Sequence, residues 1–340
     1  MTLILSNDQV AQLLDIKDVI HALEEGYRQA AKGHAILGSR ADLNTITSHP
    51  DSVYQLKSMS SVAPSLGVGA VRINSDILSY PTIKGKVRRQ KIPLAPGNRW
   101  TGLVLLFSTE TGEPLMIFPD GVMQRLRVAG TSALGAKYMA RSDAETVALI
   151  GSGWQAGAQV IAISAIRNIK KFRVHSMTPQ NCKAFCKTMS QEIEIDMEPF
   201  ENVSDAVAES DVVLCATNSN ENVLLYDHIE PGMHISSIRD NEIALEAIRN
   251  ANVTAMHDTK SMDFENYDST HGLVTKDQEK EAGSDPHMNY LRSVPTLPDL
   301  IMKKACGRVS DEQITCFLNY RGLALQFAVC GALLYKQAKE

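Results

Sequence analysis

The amino-acid sequence predicts an α/β fold, and three observations carry that prediction. From about Gly121 onward, short apolar runs of strand length alternate with stretches of helical period, the pattern of a parallel sheet covered by helices on both faces. Ahead of that point, strand-like pieces follow one another through turns, which suggests a mixed or antiparallel sheet. Where the second region passes from strand to helix stands "VALIGSGWQA", residues 147–156, an apolar run that breaks into a glycine-rich turn.

In chain order, the opening "TLILS" reads as a short strand, followed by a polar Asn-Asp step into amphipathic helix. Val10, Leu13 and Leu14 mark one apolar face. Ile16, Ile20, Leu23 and Tyr27 keep a helical period, with Asp15 placed to cap the second piece. "VYQLKSMSS", "GAVRINSDIL", "TGLVLLFST" and "PLMIF" read as strands, the last two joined by the turn "ETGEP". "VMQRLRVAGTSALGAKYMARS" is a long, Ala-rich helix. It leads into the strand "ETVALI", a helix through "QAGAQVIAISAIRNI" and the strand "KFRVHS". The alternation continues from "NCKAFCKTMSQ" through "DVVLCAT" and "MHISSI" to "NVTAMH". The tail "SDEQITCFLNYRGLALQFAVCGALLYKQAKE" reads as one long apolar-faced helix.

Composition narrows the class. A chain of 340 residues suffices for two domains, each with its own core. With 44% hydrophobic and 21% charged residues it has the profile of a soluble globular protein. A net charge of -5 speaks against nucleic acid as the main partner, and no apolar run approaches the length of a membrane helix. Six cysteines without framework spacing, and a start that does not read as a cleavable leader, point to a reducing cytoplasm. Cys182 and Cys186 read as packing residues one helical turn apart. His228, His234, His257, His271 and His287 lack metal spacing, so no metal is expected. The basic tract "KGKVRRQK", residues 84–91, reads as a solvated loop, with the entrance for an acidic substrate or a subunit contact as the sharper alternative.

The glycine-rich turn carries the first chemical inference. In G-x-G-x-x-A form, after a strand and opening a helix, Gly151 takes the tight turn and Gly153 lets backbone approach a pyrophosphate. Ala156 lets the helix pack close to the strand. Ser152, Trp154 and Gln155 complete the turn, where free N–H groups and the helix dipole favour phosphate. A dinucleotide, NAD or NADP, is the expected cofactor. The next strand ends in Ser176 and Thr178 with no acid to hold a ribose 2′-hydroxyl, which mildly favours NADP, although no arginine stands in that turn.

At this point the sequence resembles the ornithine cyclodeaminase and μ-crystallin family. "RLRVAGTSALGAKYMAR" leading into "VALIGSGWQA", "VSDAVAESDVVLCATNSNENVL", "STETGEPL" and "GRVSDEQITCFLNYRGLALQ" carry the likeness in order along most of the chain. The resemblance implies a Rossmann-like NAD(P)-binding domain, residues 122–304. It is inserted in a mixed α+β domain, residues 1–121 plus 305–340, that binds substrate and forms a homodimer. It also implies chemistry at a C=N centre beside a carboxylate: reduction of an imino acid (ketimine) or oxidation of the matching amino acid. The alternatives are cyclodeamination of ornithine or lysine with recycled NAD, and a μ-crystallin-like role in binding NADPH and a small ligand.

For the site, the resemblance offers Arg127 as carboxylate anchor, Arg40 as a second binding arginine, Asp240 as proton relay and Thr217 beside the cofactor. The family's lysine is replaced. Arg72 stands at what looks like its place, while Lys57 lies one strand earlier and is the alternative proton carrier, since arginine stays protonated. Phe327 stands where many members have an Asp. These departures tell against cyclodeamination, and several candidate arginines favour a diacid or another carboxylate-rich substrate.

Overall fold

In a computed structural model of the chain, the described residues are 1–49, 51–83, 85–92, 101–269 and 286–340. They form two compact units. One comprises Met1–Arg127, Thr259–Ser293 and Gly322–Glu340; the other comprises Val128–Asp258 and Val294–Arg321.

The first unit is built on a nine-stranded sheet whose main path runs Leu3–Ile4, Pro114–Pro119, Thr101–Ser108, Val68–Ser79, Ser52–Ala63, Arg40–Ile46 and Phe264–Asp268. The two end pairs are parallel and the interior pairs antiparallel. Two helices at the start are capped as their sequence dictates. Ser6 and Gln9 exchange the reciprocal bonds of a capping box, and the Asp15 carboxylate accepts from the Lys17 N–H at 2.7 Å. The Ile16–Ala31 helix packs against the Ala324–Gln337 helix at Gly26, where a Cβ would stand 2.4 Å from Val329 Cγ2. The latter helix lies on the sheet.

The second unit holds a seven-stranded, all-parallel sheet in the order Asp196–Phe200, Lys171–His175, Thr146–Ile150, Val212–Cys215, His234–Ser237, Thr315–Leu318, Val253–Met256. The chain runs outward from Thr146–Ile150 in both directions, so the switch point lies between that strand and Val212–Cys215. Open α/β sheets bind ligands at that place. Cys182 and Cys186 sit buried in this unit's core with Val147, Phe172 and Val174.

Two sequence expectations differ from this arrangement. The tail is not one helix: "TCFL" is a fully buried strand between two others, and the helix starts only at Ala324. A short, continuous apolar run has the same pattern in a buried strand and a buried helix. The break comes at Arg321, with φ +56°, and Gly322. The expected boundaries shift accordingly. Residues 122–127 belong to the first unit and 305–321 to the second, because their strand completes the parallel sheet. Thr259–Ser293 returns to the first unit, where Phe264–Asp268 pairs with Arg40–Ile46.

Candidate active site

The turn after Thr146–Ile150 has the shape its glycines suggest. Gly151 holds φ +123°, its N–H donates to the His175 carbonyl at 2.8 Å, and a Cβ there would fall 2.3 Å from the Ala216 carbonyl oxygen. Only glycine fits. Gly153 caps the Trp154–Ser164 helix without a side-chain bond, and a Cβ there would meet nothing within 4 Å. The approach to the helix N-terminus is therefore open and no side chain caps it, as a pyrophosphate requires. Ala156 is fully buried and Trp154 is largely exposed. Ser152 donates to Ser176 at 2.8 Å, tying the turn to the end of the neighbouring strand, and Gln155 Oε1 is buried without a partner. Thr178 caps the next helix, Pro179–Ile193. These residues fit a dinucleotide.

Across the switch point, Thr217 follows the Val212–Cys215 strand, and its N–H donates to the carboxylate of Glu242. That carboxylate also accepts from the Ile238 and Arg239 N–H groups at 3.0 and 3.1 Å. Glu242 is fully buried, and burial pushes its pKa up against the opposing pull of these bonds. It fastens the loops after two central strands. Sequence reasoning missed it; the one available signal was an acid directly ahead of an apolar run in "NEIAL". In the same unit Asp240 is exposed and pairs through Oδ2 with Arg321 at 2.8 Å.

The other candidates lie on one face of the nine-stranded sheet. Strand alternation and register place them in cross-strand rows. Met59 is opposite Arg72; Asp42, Lys57 and Asn74 form the next row; Asn44, Gln55 and Asp76 form the one after. Most charges there are already spent. Arg40 forks onto both oxygens of Asp42, Lys91 Nζ reaches Asp76 Oδ1 at 2.7 Å, and Arg72 gives Nε and Nη2 to Asp120 Oδ2 at 2.8 and 2.6 Å. Asp120 gets there by lying over Gly102, where a Cβ would stand 2.2 Å from its carboxylate. Counting arginines toward a diacid therefore overstates the available charge, since Arg40 and Arg72 each face a carboxylate of the chain itself. The basic tract is also not simply solvated: Arg88 is buried and Lys91 is paired, while Lys84 lies outside the described residues.

Lys57 and Arg127 are the candidate cations that remain unspent among the described residues. Lys57 has no hydrogen bond or ion pair with any described residue. Burial, then the Arg40 and Arg89 cations, hold its ammonium well below the ordinary lysine range. Arg127 gives Nη1 to Gln326 at 2.9 Å, its Nε is buried without a partner, and burial followed by the Arg72 charge pushes its pKa down to about 9. It remains a cation at neutral pH, with its Nε/Nη2 edge uncommitted among the described residues. Gln326 is fixed in turn, donating to Tyr27 at 2.9 Å and accepting from the Leu323 N–H at 3.0 Å. Phe327, fully buried, sits with its ring centre 5.1 Å from both the Arg72 and the Arg127 guanidinium carbons.

The sequence profile of the ornithine cyclodeaminase/mu-crystallin family matches residues 1–340. The chain belongs to that family. It is 26% identical over 284 residues to a Delta(1)-pyrroline-2-carboxylate reductase of Bacillus cereus, covering 82% of this chain and 81% of the relative. It is 25% identical over 352 residues to an alanine dehydrogenase of Archaeoglobus fulgidus, covering 99% and 95%. Among solved structures, the Thermococcus litoralis Delta(1)-pyrroline-2-carboxylate reductase, in complex with NADH and L-proline, superposes with a TM-score of 0.79 at 24% identity, covering 99% of this chain and 98% of that one. The two-part family fold, with its Rossmann-like sheet, is thereby present.

Of the five histidines without metal spacing, those described sit in structural or peripheral places. His234 is buried, bonds Thr315 at 2.9 Å and is pushed down to about 3 by burial; His257 bonds the Tyr320 carbonyl at 2.6 Å. His228 lies in a short 3-10 turn. His271 and the side chain of His287 lie outside the described residues. No group of three metal-binding side chains occurs, and no helix is long and apolar enough to cross a membrane, among the described residues.

Proposed function

We propose that this family member is an NAD(P)-dependent oxidoreductase that reduces an imino acid (ketimine) or oxidises the matching amino acid. The observation that carries the reading is the uncommitted Nε/Nη2 edge of Arg127. A guanidinium held by Gln326 and a ring, with two adjacent N–H directions unspent, is prepared for a carboxylate in bidentate fashion. The Gly151–Ala156 turn, with Ser152, Ser176, Thr178 and Thr217 around it, is the cofactor site. Bound there, a nicotinamide supplies or takes the hydride.

The chain's own residues supply the rest. Arg127 holds the substrate carboxylate. Arg72, fixed by Asp120, and Arg40, fixed by Asp42, line the site as neutralised pairs that offer remaining N–H groups and move no proton. Lys57, without a partner among the described residues and easily deprotonated, holds or yields the proton at the substrate nitrogen, and Asp240, steadied by Arg321, relays protons with solvent. With no carboxylate in Ser176–Thr178, NADP is accepted at least as well as NAD.

The assembly we propose is a homodimer. The outer face of the nine-stranded sheet exposes Leu43, Ile73, Leu103 and Tyr267, with Ile73 opposite Leu103 and Leu43 opposite Tyr267. Such a contiguous apolar band suits a second copy of the chain.

The test follows nicotinamide absorbance with purified protein, ammonia or methylamine, a panel of 2-oxo acids and cyclic imines, and NADH or NADPH in parallel. Consumption of cofactor is the expected result, and the ratio of rates gives the cofactor. Ammonia release from ornithine or lysine under catalytic NAD, without net consumption, would replace this reading with cyclodeamination.

A further inference from the structure

We infer that Arg89, beside Lys57 on the polar face of the first unit, is a second anion site that takes a carboxylate on the substrate's side chain. The inference rests on the imino- or amino-acid reading above and adds the substrate class to it, an acidic imino acid with two carboxylates.

Matching the charges of that face leaves Arg89 over. The carboxylates Asp42, Asp76 and Asp120 are already taken, the first by Arg40, the second by Lys91 at 2.7 Å and the third by Arg72 at 2.6 Å. Arg89 makes no hydrogen bond or ion pair with any described residue. Lys91 pairs with Leu78 and reaches Asp76, which ties the chain just after Arg89 to the strand that carries Asn74 and Asp76. The Arg89 charge bears on both Lys57 and Lys91, so its guanidinium stands toward their rows. Arg89 and Lys57 are half-buried rather than closed off, so solvent has an approach to both, and with it a small ligand. Two unmatched cations this close oppose each other, and an anion set beside them removes that cost. The basic tract, whose sharper reading was the entrance for an acidic substrate, supplies the arginine.

Reach and charge select the group. The α-carboxylate belongs to Arg127, which shares the Phe327 ring with Arg72. From the row of Arg72 the strand passes to the row of Lys57 and Asn74, then to that of Asp76 with its Lys91. Each row advances about 6.7 Å, so an anion at the Lys57 or Asp76 row lies about 7–13 Å along the face from the anchor's row. With a charge-assisted contact of about 2.8 Å at each end, a four- or five-carbon diacid reaches across the shorter part of that span. Arginine does not lose its proton, so a neutral side chain would leave Arg89 unmatched, and an ammonium would be repelled by it. Once Lys57 has given its proton to the substrate nitrogen, Arg127 and Arg89 remain, two cations for two carboxylates.

The experiment is titration calorimetry of the full chain, saturated with NADH so that nothing turns over, with L-aspartate, L-asparagine, L-glutamate, L-glutamine and L-norvaline, repeated with Arg89→Met. Each acid and its amide differ in charge and hardly in shape. Aspartate or glutamate is expected to bind about tenfold or more tighter than its own amide, and Arg89→Met is expected to erase that preference while norvaline binds as before. If each acid binds no tighter than its amide to the parent chain, this site is overturned and the carboxylate anchor stands. A preference that survives Arg89→Met overturns it too, as does a loss that strikes norvaline as hard as the acids, since Arg89 would then serve the α-carboxylate. If none of the five binds, the anchor reading itself fails, and the site falls with it. Arg89→Gln takes the place of Arg89→Met should the latter not fold.

Discussion

Gly322→Ala tests the carboxylate anchor without touching it. A Cβ at residue 322 would lie 2.0 Å from Arg127 Nη1, 2.6 Å from Cζ and 2.8 Å from Nη2. Ordinary carbon–nitrogen contact needs about 3.5 Å, so the guanidinium must retreat by about 1.5 Å. That retreat breaks the 2.9 Å bond to Gln326 and shifts the free edge away from a bound carboxylate. Losing a buried, charge-assisted fork costs about 2–5 kcal/mol, and 1.4 kcal/mol is tenfold in affinity. Substrate affinity should therefore fall by about a hundredfold, with NADH affinity unchanged because the turn at Gly151 lies in the other unit. Calorimetric titration with the tightest-binding product amino acid of the imine panel reads the first quantity, and NADH fluorescence titration reads the second. A Gly322→Ala protein that binds the amino acid as tightly as the parent would refute the role given to Arg127.

Other expectations are briefer. Gly151→Ala needs φ +123° from alanine and drives its Cβ into the Ala216 carbonyl, so NADH affinity should fall about tenfold or more; a normal titration curve would count against the turn as the phosphate site. Glu242→Gln sets an NH2 against at least one of the three backbone N–H groups and should cost about 1–3 kcal/mol in thermal or denaturant unfolding, together with weaker NADH binding. Lys57 is a base whose folded pKa is depressed. At low pH the folded chain carries the full cost of its buried charge, and stability climbs as pH rises from the folded value toward the unfolded one near about 10.4. Lys57→Met should accordingly be more stable than the parent at low pH, with the gap closing as pH rises; a gap that widens with pH contradicts the assignment. Ile73→Lys with Leu103→Lys should give a monomer by light scattering, and an unchanged dimer would place the interface elsewhere.

What the sequence made legible was local. Strand and helix alternation is written in periods of two and 3.6, and the glycine turn sits within ten residues, so both could be read directly. Arg127, Lys57 and Arg40 are offered by the family resemblance, which matches single positions. Their partners are not, because Arg72 meets Asp120 across 48 residues and Arg127 meets Gln326 across 199. A strand's alternation says which residues share a face, yet the register that sets Lys57 between Asp42 and Asn74 is fixed only by pairing. Glu242 escaped notice for a related reason, since its three donors come from two separate loops. The Thr315–Leu318 strand was taken into a helix because continuous burial erases the difference between the two periods.

Phe327 gives two guanidiniums a neighbour without giving them a counterion. Its ring can steady a cation yet subtracts no charge, so Arg127 keeps its full pull on any small anion that reaches it. The site will therefore not distinguish an amino-acid carboxylate from sulfate, phosphate or chloride until the rest of the substrate is in place. Buffer composition then becomes a variable of the assay: dilute, non-coordinating buffers should report tight binding, and ammonium sulfate, the handiest source of the amine, should act as an inhibitor of the reaction it is meant to feed.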